Sequence, residues 1–486
     1  MPTDYNDNII PDEKLVSIGK FAGSGILLFL DQLLVAIGNW IYWVLISKIN
    51  STSEIGQATT IYSLALLVTT ITQLGLEYPL LKRCSTNHHH RNQHQILGTA
   101  LVIEIAITLA SVPIVAYIIN DLYEERSLQQ FTWIAIAMII LSSIGFVGHF
   151  ALLGISDVKK VLIIDILGAI VKFASGYVLV SMGLSVFGIV MSILLNMLFV
   201  TCAYLFVLSK RFTFRIGNLA YFKDVIQDAL ANMPSKLSRV LIFSLSIVLL
   251  ASFGIHSSDI GMFYLALMIS IVIGSLTSSM AYMIIPISSV SNTDFSSSGT
   301  RIGLVFTAPL IAALIASPRT ILSMIGPHYV PAEIILLVLS FSILPSAITI
   351  NTVSKFNNLN KTKKLILIGS VEILAFLVSF FLLVPNYGTL GAAFSTLIAF
   401  IVSACLSLTW SERIIARYIG ISIISIIVGS AAGRLVGLLT VVGGRDIYPI
   451  LQIPISVAIT LVIIIALKNT SIVEIGDLAR TVLNKR

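Results

Sequence analysis

Charge is what this chain has least of. Asp, Glu, Lys and Arg make up 11% of its 486 residues, where a soluble domain carries about a quarter. With 57% hydrophobic residues and a mean hydropathy of +0.98, it cannot cover itself with polar surface, which excludes a water-soluble fold. Short segments of alternating polar and apolar residues are missing too, which excludes a transmembrane β-barrel. Cysteine is scarce: Cys84 is expected on a loop and Cys202 and Cys405 in apolar runs, so no disulfide framework is implied. No Walker A sequence is present, which argues against direct ATP hydrolysis, and no loop is large enough for a soluble catalytic domain. The amino-terminal "MPTDYNDNIIPDEK" is acidic and lacks the basic region of a secretory signal, so the first apolar run is expected to be retained.

What the chain does have is repeated apolar runs of roughly 20 residues, the length that spans a bilayer core as helix. They fall near 22–46, 56–80, 96–119, 130–154, 161–182, 187–208, 237–255, 261–286, 302–325, 333–353, 365–384, 389–410, 415–441 and 449–467. The expected fold is therefore an all-α polytopic membrane protein with about 14 transmembrane helices. The net charge of +7 follows the positive-inside rule and implies no nucleic acid. With both termini cytoplasmic, the outside keeps only Lys48, Arg126, Arg319 and Arg445, while Lys172 and Arg434 lie within spans. The longest connection, Ser209 to Lys236, contains "AYFKDVIQDALANM", an amphipathic pattern suited to a helix lying on the inner surface. The tract "NHHHRNQH" at Asn87 to His94 reads as a solvated linker in preference to a metal site.

One corner is written twice. "TSEIGQATTIYSLAL" at Thr52 to Leu66 is echoed by "SSDIGMFYLAL" at Ser257 to Leu267. Gly56 and Gly261 are 205 residues apart, as are Gly98 and Gly303, Pro113 and Pro318, and Gly183 and Gly388. "DVKKVLI" at Asp157 pairs with "KTKKLIL" at Lys361, shifted by one. Glycine and proline fix backbone geometry, which a structural repeat must preserve. Each unit holds six spans, an even number, so two parallel six-helix lobes are expected, followed by two extra helices. The corresponding divisions are 1–208, a linker at 209–236, a second lobe at 237–410, and 411–486 for the extra helices and tail. Such lobes suit alternating access, with substrate held between them near the midplane.

That arrangement, the "SEIGQATTIYSLAL" corner followed by "TQLGLEYPLLKR", and "VPNYGTLGAAFSTLIA" at Val384 to Ala399 resemble the MOP superfamily. Within it they resemble the polysaccharide-transporter (RfbX/Wzx-like) branch, which includes lipid-linked oligosaccharide flippases; MATE drug exporters are another branch. The resemblance implies a flippase of the cell membrane with a lipid-linked saccharide as substrate, and no enzyme activity or cofactor. The partners it implies are membrane lipids, a proton or sodium ion for coupling, and glycan-assembly enzymes. No binding signature of the family maps onto individual residues.

The residues that carry chemistry are the polar groups inside spans, which are costly there and commonly face a cavity or a partner. Asp31 shares a face with Ser24, Gly38, Asn39 and Tyr42, which either lines a cavity or acts as interhelical polar glue. Asp165, Gly168, Lys172 and Gly176 share another face. Lys172 either faces substrate or pairs with a carboxylate such as Glu104, whose own face carries Thr108 and Ser111. Lys20 before the first span and Arg239 at the start of the seventh would suit a phosphate-bearing headgroup or act as ordinary anchors. Tyr62 and Gln73 in the second span and Tyr264 in the eighth are further cavity candidates, and His149 reads as a satisfied core histidine. Arg434 is expected to snorkel or contact lipid, and could mark a groove for a prenyl tail.

Lys20, Asp31, Asn39, Tyr62, Gln73, Lys172, Arg239 and Tyr264 are thus the substrate-site candidates, and Asp31, Glu104 and Asp165 the ion-coupling candidates. The leading reading is export of a polyprenyl phosphate- or pyrophosphate-linked oligosaccharide from the cytoplasmic to the outer leaflet. The alternative is a MATE-like cation-coupled multidrug antiporter, with Asp31 as its key acid. A membrane-embedded glycosyltransferase or polymerase is a third reading, disfavoured by the short loops.

Overall fold

A computed structural model describes residues 12–85, 90–122, 126–155, 157–291, 296–359, 361–410, 413–439, 441–442, 445–446 and 451–467. In hydrocarbon every backbone N–H and C=O must be paired within its own segment, so apolar runs of this length become helices. The first part of the chain forms α1 (Asp12–Ser47), α2 (Thr52–Thr72), α3 (Glu77–Ser85), α4 (His90–Tyr117), α5 (Thr132–Gly154), α6 (Val158–Ser181) and α7 (Ser185–Ser209). Next come α8 (Leu219–Ser252), α9 (Ser257–Ser291), α10 (Ser296–Ala316), α11 (Pro318–Ile325), α12 (Glu333–Asn358) and α13 (Thr362–Leu408). Last are α14 (Arg413–Leu439) and α15 (Gln452–Ala466), with a two-residue strand pair, Val441–Val442 against Arg445–Asp446, between them.

Ten of the described helices are long and apolar enough to cross a membrane, which makes this a multi-pass membrane protein. Each of the fourteen expected segments falls on a described helix. Two of them, 365–384 and 389–410, share α13, which breaks at Gly388 (φ 52°, ψ −130°). Around that break the chain folds back, so that a Cβ on Gly391 would lie 2.6 Å from the Leu383 carbonyl oxygen. Gly183, its repeat partner, sits between α6 and α7 with φ 84°. Both positions are left-handed, where a side chain is strained, and that is why glycine recurs at this spacing.

Two spans are broken where the sequence reads as continuous. The segment 56–80 divides into α2 and α3 at a turn whose Leu74 (φ 47°) and Gly75 (φ 84°) are left-handed. Gly75 abuts α8: a Cβ there would lie 2.6 Å from the Ala229 carbonyl oxygen. The second break separates α10 from α11, which meet at 85°. Pro318 supplies no N–H and cannot continue α10. Its repeat partner Pro113 lies inside α4, which runs on to Tyr117, so the two prolines do different work.

The segment 209–236 also differs from its expected form. Residues 212–218 are extended across the start of α4, with the Arg215 N–H donating to the His94 carbonyl oxygen at 3.1 Å and the Gly217 N–H to Thr99 Oγ1 at 3.0 Å. The helix that follows is one body with the next span, α8, and the Arg83–Asp228 ion pair at 2.7 Å docks it on α3. The tract at Asn87 to His94 lies partly outside the described residues; His94 Nδ1 accepts from the Thr213 N–H at 2.9 Å. Among the described residues no group of acidic, His and Cys side chains could hold a metal.

α14 packs on α10 and α15. Gly429, Gly433 and Gly437 let it approach closely: a Cβ on Gly433 would lie 2.8 Å from Ala316 Cβ and 3.0 Å from the Gln452 carbonyl oxygen. That approach aims Arg434 at the α10–α11 break. Its Nε and Nη2 donate to the Ile315 carbonyl oxygen at 3.1 and 3.0 Å, so the arginine caps a helix end while its side chain stays exposed, as the lipid-contacting expectation requires. The break frees this carbonyl from its ordinary helical partner and Arg434 satisfies it. Arg434→Met should therefore destabilise the fold by about 1–3 kcal/mol, the cost of an orphaned buried acceptor. The check is a fall of several degrees in the thermal unfolding midpoint of the detergent-purified protein, with an unchanged midpoint as the contrary result.

Candidate functional site

The site is built on α6, which packs against both α7 and α1. Gly168 and Gly176 make room for this. A Cβ on Gly168 would lie 2.7 Å from Asn196 Oδ1 on α7, and one on Gly176 would lie 2.8 Å from Tyr42 Cε2 on α1. The two glycines flank Lys172, so the face read from sequence is the face that meets both neighbours.

Lys172 is 9% exposed. Its Nζ donates to Asn39 Oδ1 at 2.6 Å and stands 4.1 Å from the centroid of the Tyr42 ring. The Tyr42 hydroxyl is 2.6 Å from Ser192 Oγ on α7. Asn39 also reaches the other way, its Nδ2 donating to Met268 Sδ on α9 at 3.7 Å. Trp43 packs edge-on to Tyr264 of α9 with ring centroids 4.9 Å apart, and the Tyr62 ring lies 6.3 Å from it. α1 is thus the shared wall between α6 and α9.

Glu104 is not the partner of Lys172. It is buried on α4, where its Oε1 accepts from Thr72 Oγ1 at 3.4 Å. Thr72 and Ser143 hydroxyls are 3.4 Å apart, and Thr108 Oγ1 donates to Ser143 Oγ at 2.9 Å. This cluster ties α2, α4 and α5 together. Among the described residues Lys172 makes no ion pair with any carboxylate.

About two helical turns along α6 from Lys172 lies a second polar layer. Asp165 Oδ1 accepts from the Tyr204 hydroxyl at 2.6 Å, His149 Nδ1 is 3.0 Å from that hydroxyl, and His149 Nδ1 is 3.8 Å from Asp165 Oδ2. Asp31 lies on α1, the helix that packs against α6. Asp31 is 1% exposed, and neither of its carboxylate oxygens has a hydrogen-bond partner among the described residues. A carboxylate so buried is costly unless a proton neutralises it or a cation balances it. His149 is satisfied, as the sequence reading expected, but it belongs to this layer and not to plain core.

Of the other candidates, Tyr62 and Tyr264 join Trp43, and Gln73 follows the last residue of α2 at the α2–α3 turn. Lys20 lies in α1 and Arg239 in α8, but their side chains are outside the described residues. Sequence reading missed Ser192 and Tyr204 as site residues. They sit on an apolar span with no ionisable neighbour, and only the glycines of α6 hinted at what α7 presents.

Apolar spans closing around two layers of hydrogen-bonded and ionisable groups define a multi-pass membrane protein with a polar interior. The profile of the family described as "Polysaccharide biosynthesis protein" matches residues 45–327, more than half of the chain, and the chain belongs to that family. Among solved structures, the lipid II flippase MurJ in an inward closed conformation is similar, with a TM-score of 0.71, 13% identity, and 91% of this chain and 98% of that chain covered. An inward-facing multidrug resistance MATE family transporter of the MOP superfamily gives 0.61 at 14% identity, covering 81% and 98%. A MOP superfamily transporter from Pyrococcus furiosus, described by the reverse polarity of its binding pocket, gives 0.55 at 14% identity, covering 82% and 96%. At these identities the likeness is one of fold. No curated protein matches the sequence.

Proposed function

We propose that the protein is a flippase that moves a lipid-linked oligosaccharide, joined to polyprenyl phosphate or pyrophosphate, from the cytoplasmic to the outer leaflet of the cell membrane. Both termini are cytoplasmic in this reading, and lobes 1–208 and 237–410 rock against each other while the saccharide crosses between them. The family and the shared fold with a lipid II flippase support it. The observation that carries it is Lys172: a buried ammonium whose hydrogen-bonding partner is the neutral Asn39. A lysine head has N–H donors beyond the one that Asn39 takes, and a phosphate oxygen reaching them would supply the counter-charge that no described carboxylate provides. Lys20 and Arg239 would receive the headgroup at the cytoplasmic mouth, with Tyr62, Gln73 and Tyr264 along the path. Asp31 and Asp165 take the coupling proton or sodium ion, and Glu104 is a second candidate for that role.

One observation favours the drug-exporter reading. The carboxylates Asp31 and Asp165 outnumber the single cation beside them, which suits an organic cation better than a phosphate. Reconstitution separates the two. Proteoliposomes carrying a fluorescent polyprenyl-pyrophosphate-linked saccharide on one leaflet should lose accessibility to a membrane-impermeant quencher with time. Liposomes loaded with a cationic dye should show no protein-dependent efflux. Dye efflux without saccharide flipping would replace the flippase by the antiporter, and glycan transfer by the purified protein would revive the enzyme reading.

A further inference from the structure

The twice-written corner meets itself. α2 and α9 pack together and cross at Gly56 and Gly261. A Cβ on Gly56 would overlap the Ser257 carbonyl oxygen and lie 2.6 Å from its carbon, and 3.1 Å from the Gly261 nitrogen. Reciprocally, a Cβ on Gly261 would overlap the Thr52 carbonyl oxygen and lie 2.9 Å from the Gly56 nitrogen. Gly56 faces Ser257 as Gly261 faces Thr52, so the contact is its own mirror under the repeat. A pseudo-twofold axis passing between the two glycines accounts for this. Each helix also begins here with an acid in its first turn, Glu54 and Asp259. The Ser51 N–H donates to Glu54 Oε2 at 2.8 Å, and the Glu54 N–H to Ser51 Oγ at 3.3 Å. Two helix N-termini brought together repel through their dipoles, and an acid on each offsets that.

We propose that this glycine crossing is the gate that closes the outer end of the transporter, and that its opening is the step that exposes substrate outside. The proposal rests on the alternating-access reading above. At the crossing itself two backbones are in contact, held by dispersion and weak Cα–H···O contacts, with no room for a side chain. Around it the two helices share a buried core, to which α2 contributes Ile55 and Ile61 and α9 contributes Ile260 and Phe263. Beside it α1 meets α9 through a thioether bond from Asn39 to Met268 and an edge-on ring pair between Trp43 and Tyr264. Closure tolerates nothing larger than hydrogen at either position, so a single methyl acts as a wedge. Gly56→Ala and Gly261→Ala should therefore each hold the outer end open.

The test uses the full chain with Cys84, Cys202 and Cys405 replaced and a reporter cysteine at Ile46, which is 3% exposed. A membrane-impermeant maleimide is added from outside. Moving the population from roughly 9:1 closed to 1:9 should raise the labelling rate about ninefold in Gly56→Ala and Gly261→Ala. Gly420→Ala, where a Cβ meets nothing within 4 Å, should leave it unchanged. Should an alanine variant not fold, spin labels on Lys48 and Phe253 read the native glycines directly. Their distance should lengthen in part of the population when polyprenyl-pyrophosphate-linked saccharide is supplied. Unchanged labelling in a folded alanine variant, or one short distance throughout, would overturn the gate. Flipping that persists alongside that result leaves the function standing. Increased labelling in a protein whose unmodified form flips nothing leaves the gate and removes the function.

Discussion

Lys172→Ala should lower the flipping rate roughly ten- to a hundredfold, the effect of losing one charge-assisted contact worth about 1.5–3 kcal/mol. Lys172 gives its charge to a neutral amide and the face of a tyrosine ring, and no carboxylate among the described residues needs it. Removing it therefore leaves no unpaired acid behind, and the chain should still insert and fold. Asn39, Tyr42 and Ser192 keep their places through helix packing, and the Tyr42–Ser192 bond of 2.6 Å is independent of the lysine. Lys172→Arg restores the charge but brings a larger planar head into a space that Gly168 and Gly176 had to clear, so rescue should be partial. Flipping by proteoliposomes, measured beside the thermal unfolding midpoint, checks this. Unchanged transport with a lowered midpoint would make Lys172 interhelical glue.

Asp31→Asn should uncouple the protein without weakening it. Asn matches the shape of a protonated carboxyl group, and among the described residues no hydrogen bond to Asp31 exists to be lost. The variant relieves the cost of burying an unpartnered carboxylate, so its unfolding midpoint should match or exceed that of the unmodified protein. Transport, by contrast, should no longer respond to an imposed proton or sodium gradient. A fall in stability with gradient response intact would mean that Asp31 ties helices together and plays no part in coupling. Asp165→Asn is the informative companion, because its amide oxygen can still accept from Tyr204 but without the charge that strengthens the 2.6 Å bond, so coupling should be lost with only a modest cost in stability.

The helical class was legible because apolar runs of bilayer length leave the backbone no other way to pair. The repeat was legible because glycine positions record backbone geometry: Gly183 and Gly388 are both left-handed. The Gly56–Gly261 approach could not be read at all, since spacing along the chain says nothing about which surfaces touch. Breaks were the weak point. Leu74 sits in a left-handed turn that its apolar neighbours conceal, and Pro113 and Pro318, alike in sequence register, end in a continuous helix and an 85° corner.

Polar residues stand out against an apolar background, so Asp31, Asn39, Asp165 and Lys172 are legible in the sequence as polar groups inside spans. Their partners are not, because hydroxyls such as Ser192 and Tyr204 are ordinary in helices until a charge is placed beside them. Pairing of Lys172 with a carboxylate such as Glu104, one of the two alternatives the sequence left open, fails for the same reason. Chemistry makes the two compatible, while α4 carries Glu104 into its own cluster of hydroxyls with α2 and α5. Arg434 is exposed, as a snorkelling or lipid-contacting side chain would be, but its cap on the Ile315 carbonyl cannot be anticipated from α14 alone.

The most direct test is to deplete the protein from its native cell and measure polyprenyl-linked oligosaccharides by mass spectrometry, with a sidedness probe on intact membranes. Accumulation of the lipid-linked saccharide on the cytoplasmic face is the predicted result. Unchanged levels and sidedness, together with greater sensitivity to cationic compounds, would contradict it and assign the protein to cation export.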